Sequence, residues 1–283
     1  MGSYFVSPGW LKNHIEKNVD ANLVVVDTRF QLNDENAGRK AYIDGHIPSA
    51  IYLDLEKDLS GKAQKHGGNH PLPDIDTFVA KIGNIGIDNN TTVVIYDQAN
   101  DMFAARLWWL LHYVGHEDVY LLDGGFDTWV KEGNPVTTDI PELVPKTFHP
   151  NVSSDEVVHI EDVKEKRDNT TLIDSRSKDR YLGKTEPLYK KAGHIPGAIN
   201  YFWRDVLKPD GSWKTETELK EHFNQLDREE EIIVSCGSGV SACANILALK
   251  LAGYENVKLY PGSYSDWISY DENEVETEER NDE

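Results

Sequence analysis

Two stretches of the sequence, DGHIPSAIYLD at 44–54 and AGHIPGAINYF at 192–202, are variants of one pattern. The similarity continues before them, where LVVVDTR at 23–29 recurs as TLIDSR at 171–176. It also continues after them, where TTVVIYD matches EEIIVSC and LDGGFDTW matches YPGSYSDW. Four matched segments in the same order indicate a duplicated domain.

The segment between the two copies, TTDIPELVPKTFHPNVSSDE at 137–156, predicts an extended linker. It contains three prolines and little hydrophobic periodicity, which is typical of irregular structure. The chain length of 283 residues also favours two domains over one. We therefore place the boundary near residue 140, with an N-terminal domain over 1–140 and a C-terminal domain over 141–283.

Each copy alternates short β-branched runs, such as LVVVD and TVVIYD, with stretches of helical period. Ser7 followed by Pro8 predicts the start of the first helix, because serine caps helices and proline fits the first helical position. Alternating strands and helices predict an α/β fold in which each domain is a parallel sheet flanked by helices. In such sheets ligands bind at the carboxyl ends of the strands.

Composition excludes several classes of partner and location. The formal charge of -20 opposes binding to nucleic acid, and no apolar stretch reaches the roughly 20 residues of a membrane helix. Two cysteines cannot build a disulfide framework, and no charged-then-apolar leader opens the sequence, so we expect a cytoplasmic, reducing location. From about residue 271 the chain is strongly acidic, which predicts a solvated, disordered end, with an interaction tail as the alternative.

The loop CGSGVSA at 236–242 lies between an apolar strand pattern and a predicted helix. Gly237 and Gly239 allow the backbone to direct several N–H groups at one centre, and the helix N-terminus adds its dipole. Both effects stabilise a thiolate at Cys236, which is the condition for a nucleophilic cysteine. Cys243 lies on the core-facing period of the helix and is predicted to be a buried apolar residue.

The duplication provides an internal comparison for this loop. The first copy has Asp97 in place of the cysteine, in a loop that is longer and lacks the glycines. A carboxylate cannot carry sulfur, so we expect the first domain to be catalytically silent. Other residues recur in both copies although only one has the nucleophile, and we interpret them as structural: His46 with His194, and the pairs Asp27–Arg29 and Asp174–Arg176.

The tandem D[TS]R, GHIP[SG]A and CGSGVSA motifs resemble the two-domain rhodanese-type sulfurtransferases over nearly the whole chain. The resemblance implies two rhodanese-like domains, a site in the cleft between them, and sulfur transfer through a persulfide on Cys236. The loop is more similar to the 3-mercaptopyruvate branch, which has glycine and a hydroxyl residue where the thiosulfate branch has basic residues. Here those residues are Gly237 and Ser238. The implied donor is therefore 3-mercaptopyruvate, and thiosulfate:cyanide sulfurtransferase activity is the alternative.

The resemblance also implies a proton relay. The 3-mercaptopyruvate branch combines the loop hydroxyl, here Ser238, with a histidine and an acid from the first domain. His70 and Glu56 occupy similar places in this chain, and His66 is the alternative histidine. These four residues are carried over by position only.

The carboxylate of the donor is implied to bind two cations. Arg180 matches the first, whereas the second place holds lysine, either Lys190 or Lys191. Lysine keeps the charge but lacks the bidentate geometry of arginine. The remaining substrate-binding positions follow the cysteine in the loop: Gly237, Gly239, Val240 and Ser241.

Two rival functions belong to other classes. A cysteine phosphatase needs an arginine six positions after the cysteine, and Ala242 stands there, so phosphate chemistry is disfavoured. A non-catalytic binding module is favoured by the silent first copy and opposed by the intact second loop. The sequence has neither zinc-ligand spacing nor a phosphate-binding GxxxxGK[ST] motif, so we predict no metal and no cofactor. The expected partners are a small sulfur donor, a thiol or cyanide acceptor, and a thioredoxin-like reductant.

Overall fold

The structure is a computed structural model that describes residues 4–17, 22–165 and 169–278. It divides into two compact units. The first unit contains Met1–Gly61, Pro73–Ser153 and Pro209–Trp213, and the second contains Lys62–Leu72, Ser154–Lys208 and Lys214–Glu283. The segment Lys62–Leu72 belongs to the first sequence repeat and yet to the second unit. The domain boundary near residue 140 stays a prediction.

The first unit is a parallel sheet with helices in its crossover connections, as the alternating pattern predicts. Its sheet has the strand order β1-β5-β4-β2-β3, with all pairings parallel. Valines and a tryptophan from strands and helices build one of its core clusters, which includes Val25, Val94 and Trp129. The elements are β1 (Phe5–Val6), α1 (Pro8–Lys17), β2 (Leu23–Asp27), α2 (Ala37–Asp44), β3 (Ile51–Tyr52), α3 (Ile75–Asn84), β4 (Thr92–Tyr96), α4 (Met102–Tyr113), β5 (Val119–Leu122) and α5 (Gly125–Lys131).

The second unit repeats this arrangement around a parallel sheet of order β7-β6-β8-β9. Short 3-10 helices at Ser154–Glu156 and Trp203–Val206 complete its connections. A core cluster joins residues of the sheet, including Leu172 and Ile233, to Tyr264 of the last helix. The elements are α6 (Ile160–Lys164), β6 (Thr170–Asp174), α7 (Lys178–Tyr181), β7 (Ile199–Asn200), α8 (Glu216–His222), β8 (Glu231–Ser235), α9 (Ala242–Ala252), β9 (Val257–Leu259) and α10 (Ser263–Trp267).

The residues that recur in both copies are structural, as their repetition indicates. Arg29 and Arg176 each bind the aspartate two residues earlier, at 2.7 and 2.6 Å, and each donates to the carbonyl before a GHIP histidine. His46 and His194 each bind a backbone carbonyl through Nδ1 at 2.7 Å. The ion pairs and the histidines therefore fix the same two loops in each unit.

The acidic segment from residue 271 differs from the disordered end that its charge predicts. Glu276 forms a two-way backbone pair with His194, at 2.8 and 3.0 Å, and Asn273 is buried and donates to the carbonyl of Trp267. Val275 packs against the core cluster of the second unit. Residues 271–278 are thus bound by backbone pairing and apolar contact despite their charge, whereas 279–283 lie outside the described residues.

The extended linker that the prolines predict runs along the first unit as residues 138–153. Two of its backbone N–H groups donate to carbonyls at the C-terminal ends of helices, Lys146 to Gly83 of α3 at 2.8 Å and Asn151 to Val114 after α4 at 2.8 Å. Within the ranges 4–17, 22–165 and 169–278, no helix combines the length and apolarity needed to cross a bilayer.

Candidate active site

Cys236 is the first residue after β8, at the carboxyl end of the strand, and it is 2 % exposed. The backbone N–H of Gly239 donates to its sulfur at 3.1 Å. Gly239 has a φ of +76°, a left-handed conformation that glycine adopts without strain. The loop therefore turns the Gly239 amide onto the sulfur, which is one of the several inward N–H groups that the glycine spacing predicts, and α9 begins three residues further on.

The carbonyl side of the loop is bound by the start of α10. Tyr264 N–H donates to the carbonyl of Cys236 at 3.0 Å, and Ser265 N–H donates to that of Gly237 at 2.9 Å. The N–H of Cys236 donates to the hydroxyl of Ser263 at 3.0 Å. The backbone of the cysteine loop is thus fixed on both sides before any ligand binds.

Ser238 and His70 lie together at this loop. His70 Nδ1 is 2.7 Å from the hydroxyl oxygen of Ser238, and the two share a hydrogen bond. His66 instead shares a bond of 2.7 Å with the hydroxyl of Ser269 and stacks on Tyr270 at 4.0 Å. Of the two histidines that the sequence leaves open, His70 is therefore the one that contacts the cysteine loop.

The segment that carries His70 is docked onto α10 by a buried carboxylate and a hydroxyl. Gly67 N–H donates to Asp266 Oδ1 at 2.7 Å, and Asn69 N–H donates to the Ser265 hydroxyl at 3.1 Å. The other carboxylate oxygen of Asp266 accepts the Tyr260 hydroxyl at 2.7 Å. Burial and the Asp266 charge raise the pKa of Tyr260, so this phenol remains a donor.

Glu56 lies in the first unit, with its side chain exposed. Its backbone N–H donates to Asp54 Oδ1 at 2.9 Å. Its part in a proton relay stays a prediction.

Arg180 belongs to a buried cluster of charges that the sequence does not reveal. It holds Glu186 through Nη2 at 2.8 and 3.1 Å and through Nε at 3.2 Å. Arg176 donates to the same carboxylate at 3.1 Å as well as to Asp174. The two arginines and the two acids in this cluster carry no net charge.

The two lysines before the second GHIP loop have different surroundings. Lys191 Nζ donates to the carbonyls of Asp271 and Asn273, at 3.2 and 3.1 Å, so it holds the C-terminal segment. Lys190 is exposed. Of the two candidates for the second cation, Lys191 is thus the one engaged by residues 271–278.

The other predicted loop residues continue into α9. Val240 and Ser241 are both buried, and Ser241 is the N-cap residue of the helix. Cys243 is fully buried on the first turn, and its thiol donates to the carbonyl of Gly239 at 3.3 Å. The prediction that Cys243 is a buried core residue is confirmed.

The first unit has a carboxylate where the second has the cysteine. The two oxygens of Asp97 accept the N–H groups of Asp101 and Ala104, at 2.9 and 3.0 Å. Asn100 adopts the left-handed conformation in this loop, at a φ of +56°. Without paired glycines the first loop still turns two backbone amides onto the Asp97 carboxylate. Burial, reinforced by the Asp101 charge, raises the pKa of Asp97 to about 7.

Three residues at this site were missed from the sequence: Glu186, Tyr189 and Asp266. Glu186 and Tyr189 lie in TEPLYKK, between Arg180 and the second GHIP. The sequence sign of their importance is that a glutamate and a tyrosine stand close to the lysines there. Asp266 belongs to the repeated segment ending in DW, and its partner Gly67 is 199 residues away. Such a contact is visible only after folding.

Among the residues that the structure describes, no three or more His, Cys, Asp or Glu side chains are grouped so that they could hold a metal ion.

Comparison with known proteins agrees with the duplicated architecture. The rhodanese-like domain family matches residues 7–132 and again 159–270. A probable 3-mercaptopyruvate sulfurtransferase of Pseudomonas aeruginosa is 38% identical over 257 residues, which cover 88% of this chain and 90% of that protein. The thiosulfate sulfurtransferase of Mus musculus is 34% identical over 276 residues, or 93% of this chain and 91% of that protein.

A solved structure extends the similarity to three dimensions. The crystal structure of the 3-mercaptopyruvate sulfotransferase SseA from Escherichia coli superimposes with a TM-score of 0.81 at 32% identity. The match covers 93% of this chain and 100% of that one. The chain therefore belongs to the rhodanese-like family of sulfurtransferases, with two copies of the domain in tandem.

Proposed function

We propose that the protein takes sulfur from 3-mercaptopyruvate onto Cys236 and passes it to a thiol or cyanide. The observation that carries the proposal is the Gly239 N–H on the Cys236 sulfur, at 3.1 Å, beside the Ser238–His70 pair. An inward amide stabilises the negative charge of a thiolate and then of a persulfide.

In the first step the Cys236 thiolate bonds to the donor sulfur. The carbon–sulfur bond breaks, and its electron pair leaves with the carbon as the enolate of pyruvate, which takes up a proton to become pyruvate. In the second step an acceptor thiolate or cyanide bonds to the outer sulfur, the sulfur–sulfur bond breaks, and the Cys236 thiolate is restored.

The enolate leaving group makes a proton relay useful. Ser238 and His70 share a hydrogen bond of 2.7 Å at the cysteine loop, which suits them to pass a proton to the enolate carbon. With thiosulfate as donor the leaving group is sulfite, which needs no such proton. A proton relay at this position therefore favours mercaptopyruvate.

The donor carboxylate needs a cation that is not already neutralised. Arg180 is paired with Glu186, and Arg176 is paired with Asp174 and Glu186. We therefore assign to Lys190 the positive charge that binds the donor carboxylate, and to Arg180 the orientation of that carboxylate. The loop residues Gly237, Val240 and Ser241 add no charge next to Cys236. A dianion such as thiosulfate gains less from this arrangement.

The kinetic test compares the two donors with cyanide as acceptor. We expect a higher kcat/KM for 3-mercaptopyruvate than for thiosulfate. The opposite order, together with indifference to His70→Ala, would identify a thiosulfate:cyanide sulfurtransferase; the mouse relative is named thiosulfate sulfurtransferase.

The natural acceptor is the second part of the proposal. Both cysteines are buried and neither forms a disulfide, which suits the reducing cytoplasm, where a thioredoxin-like reductant can supply the acceptor thiol. Sulfide release from mercaptopyruvate that depends on reduced thioredoxin tests this assignment, and equal release without it would contradict it.

A further inference from the structure

We propose that Tyr189 is a donor-specificity residue, because its hydroxyl fills the space beside Gly237 and keeps any side chain, including a cationic one, away from that position next to Cys236. The proposal rests on sulfur transfer through Cys236. Tyr189 lies outside the CGSGVSA loop and outside the GHIP motif.

Gly237 is glycine for a different reason from Gly239. A Cβ on Gly239 would lie 2.4 Å from the carbonyl oxygen of Pro261, and the φ of Gly239 lies in the left-handed region. The φ of Gly237 lies outside the left-handed region, so its backbone accepts any residue. A Cβ on Gly237 would meet the hydroxyl oxygen of Tyr189 at 2.7 Å, which is too close for an unshifted contact. The obstacle at position 237 is thus one phenol oxygen.

The ring of Tyr189 is fixed by its neighbours. It packs edge-on against Tyr264 with ring centroids 5.9 Å apart, and the guanidinium of Arg180 lies 5.3 Å from its centroid. Burial, with the charge of Cys236, raises the pKa of Tyr189, so its hydroxyl keeps its proton at neutral pH. A substitution at 237 must therefore displace a packed ring or the cysteine loop.

The cysteine loop places no positive side chain beside Cys236. Residues 236–241 offer a donor the backbone amides and the hydroxyls of Ser238 and Ser241, but no cationic side chain. A cation beside the sulfur would favour the dianionic thiosulfate over mercaptopyruvate, whose single carboxylate lies away from the reacting sulfur. Tyr189 closes the position from which such a cation could act.

A double-mutant cycle tests the contact. Gly237→Ala should lower kcat/KM for mercaptopyruvate about tenfold, because the added methyl group overpacks the site and must shift the cysteine loop or the Tyr189 ring. Tyr189→Phe removes only the oxygen, and the remaining ring atoms would be 3.5 and 3.6 Å from the Cβ, which is ordinary contact. The double variant Tyr189→Phe/Gly237→Ala should therefore lie within about threefold of Tyr189→Phe alone.

Tyr264→Phe is the matched control, because Tyr264 packs on Tyr189 but its hydroxyl donates to the carbonyl of Lys191. It should not rescue Gly237→Ala. Tolerance of Gly237→Ala by the wild-type protein, or equal rescue by Tyr264→Phe, would overturn the contact.

A second set of variants tests donor specificity by placing a cationic side chain in the space that the Tyr189 hydroxyl occupies. In the Tyr189→Phe background, Gly237→Lys should raise the ratio of kcat/KM for thiosulfate to that for mercaptopyruvate about tenfold, and Gly237→Met should leave the ratio unchanged. An unchanged ratio with lysine would overturn the specificity role.

Failure of the proposed function gives a different result. A wild-type protein that moves sulfur from neither donor would remove that function, yet the thermal midpoints of the same four cycle proteins would still show whether Tyr189 and Gly237 are coupled.

Discussion

His70 Nδ1 lies 2.7 Å from the hydroxyl oxygen of Ser238, although 168 residues separate the two in the chain. The contact exists because the segment Lys62–Leu72 leaves the first sequence repeat and packs in the second unit. Asp266 and Ser265 hold that segment through the N–H groups of Gly67 and Asn69.

The anchoring of this segment predicts that Asp266 positions His70. Asp266→Ala leaves the Gly67 N–H and the Tyr260 hydroxyl without their acceptor, and we expect kcat for mercaptopyruvate to fall about tenfold, with a smaller change in KM. In a His70→Ala background the same change should add little, because both act through one relay. Steady-state kinetics of the four proteins measure this coupling, and fully additive losses would contradict it.

Cys236 is predicted to be the sulfur carrier and Cys243 a bystander. The first accepts a loop amide at its sulfur, whereas the second is fully buried in α9. After donor treatment, intact-mass analysis should show one added sulfur in the wild-type protein and in Cys243→Ser. Cys236→Ser should show none, and an adduct that survives in it would overturn the assignment.

The adjacent lysines should separate substrate binding from stability. Lys190→Met should raise KM for mercaptopyruvate about tenfold with little change in kcat, because one charge-assisted contact is lost. Lys191→Met should instead lower the thermal midpoint, because Lys191 holds the carbonyls of Asp271 and Asn273. Interchanged effects would assign the donor carboxylate to Lys191.

Arg180 should combine both roles. Its guanidinium holds the buried Glu186, so Arg180→Ala should raise KM for mercaptopyruvate and also destabilise the second unit. Arg176 still binds Glu186 in that variant. Glu186→Gln, compared in the same assay, should lower KM by releasing positive charge, and a raised KM would show that placement of the arginine matters more than its charge.

The first unit should stay silent even with a thiol. In a protein that also carries Cys236→Ser, the new thiol of Asp97→Cys would face the amides of Asp101 and Ala104. Burial, reinforced by the charge of Asp101, raises the pKa of the present carboxyl and would likewise oppose a thiolate. We expect turnover below about 1% of wild type, which corresponds to a loss of about 2.7 kcal/mol or more in transition-state stabilisation. Measurable turnover would show that inward amides alone suffice.

Asp97 also predicts a pH dependence of stability. Its pKa is raised from 3.8 to about 7, so between these values the folded protein keeps a proton that the unfolded chain has released. The free energy of unfolding therefore falls as pH rises through that window, by about 4 kcal/mol at most. Relative to Asp97→Asn, the wild-type protein should lose stability from about pH 4.5 to about pH 7.5 in urea titrations. Parallel curves for wild type and Asp97→Asn would contradict the assignment.

The sequence predicted the repeat, the parallel α/β architecture and the position of Cys236, because each depends on local pattern. Strands of β-branched residues ending in turns give the sheets, and the glycine spacing after Cys236 gives a loop whose amide reaches the sulfur. The buried ion pairs and backbone-bound histidines followed from their recurrence in both copies.

The remaining features depend on residues that meet only after folding. Charge alone predicted a disordered end at residue 271, but backbone pairing of Glu276 with His194 and burial of Asn273 bind it through residue 278. The packing of this segment onto α10 likewise brings His70 to Ser238 and His66 to Ser269. Local pattern reports what a segment can form by itself, whereas hydrogen bonds across 168 residues, such as His70 to Ser238, depend on where the whole chain places their partners.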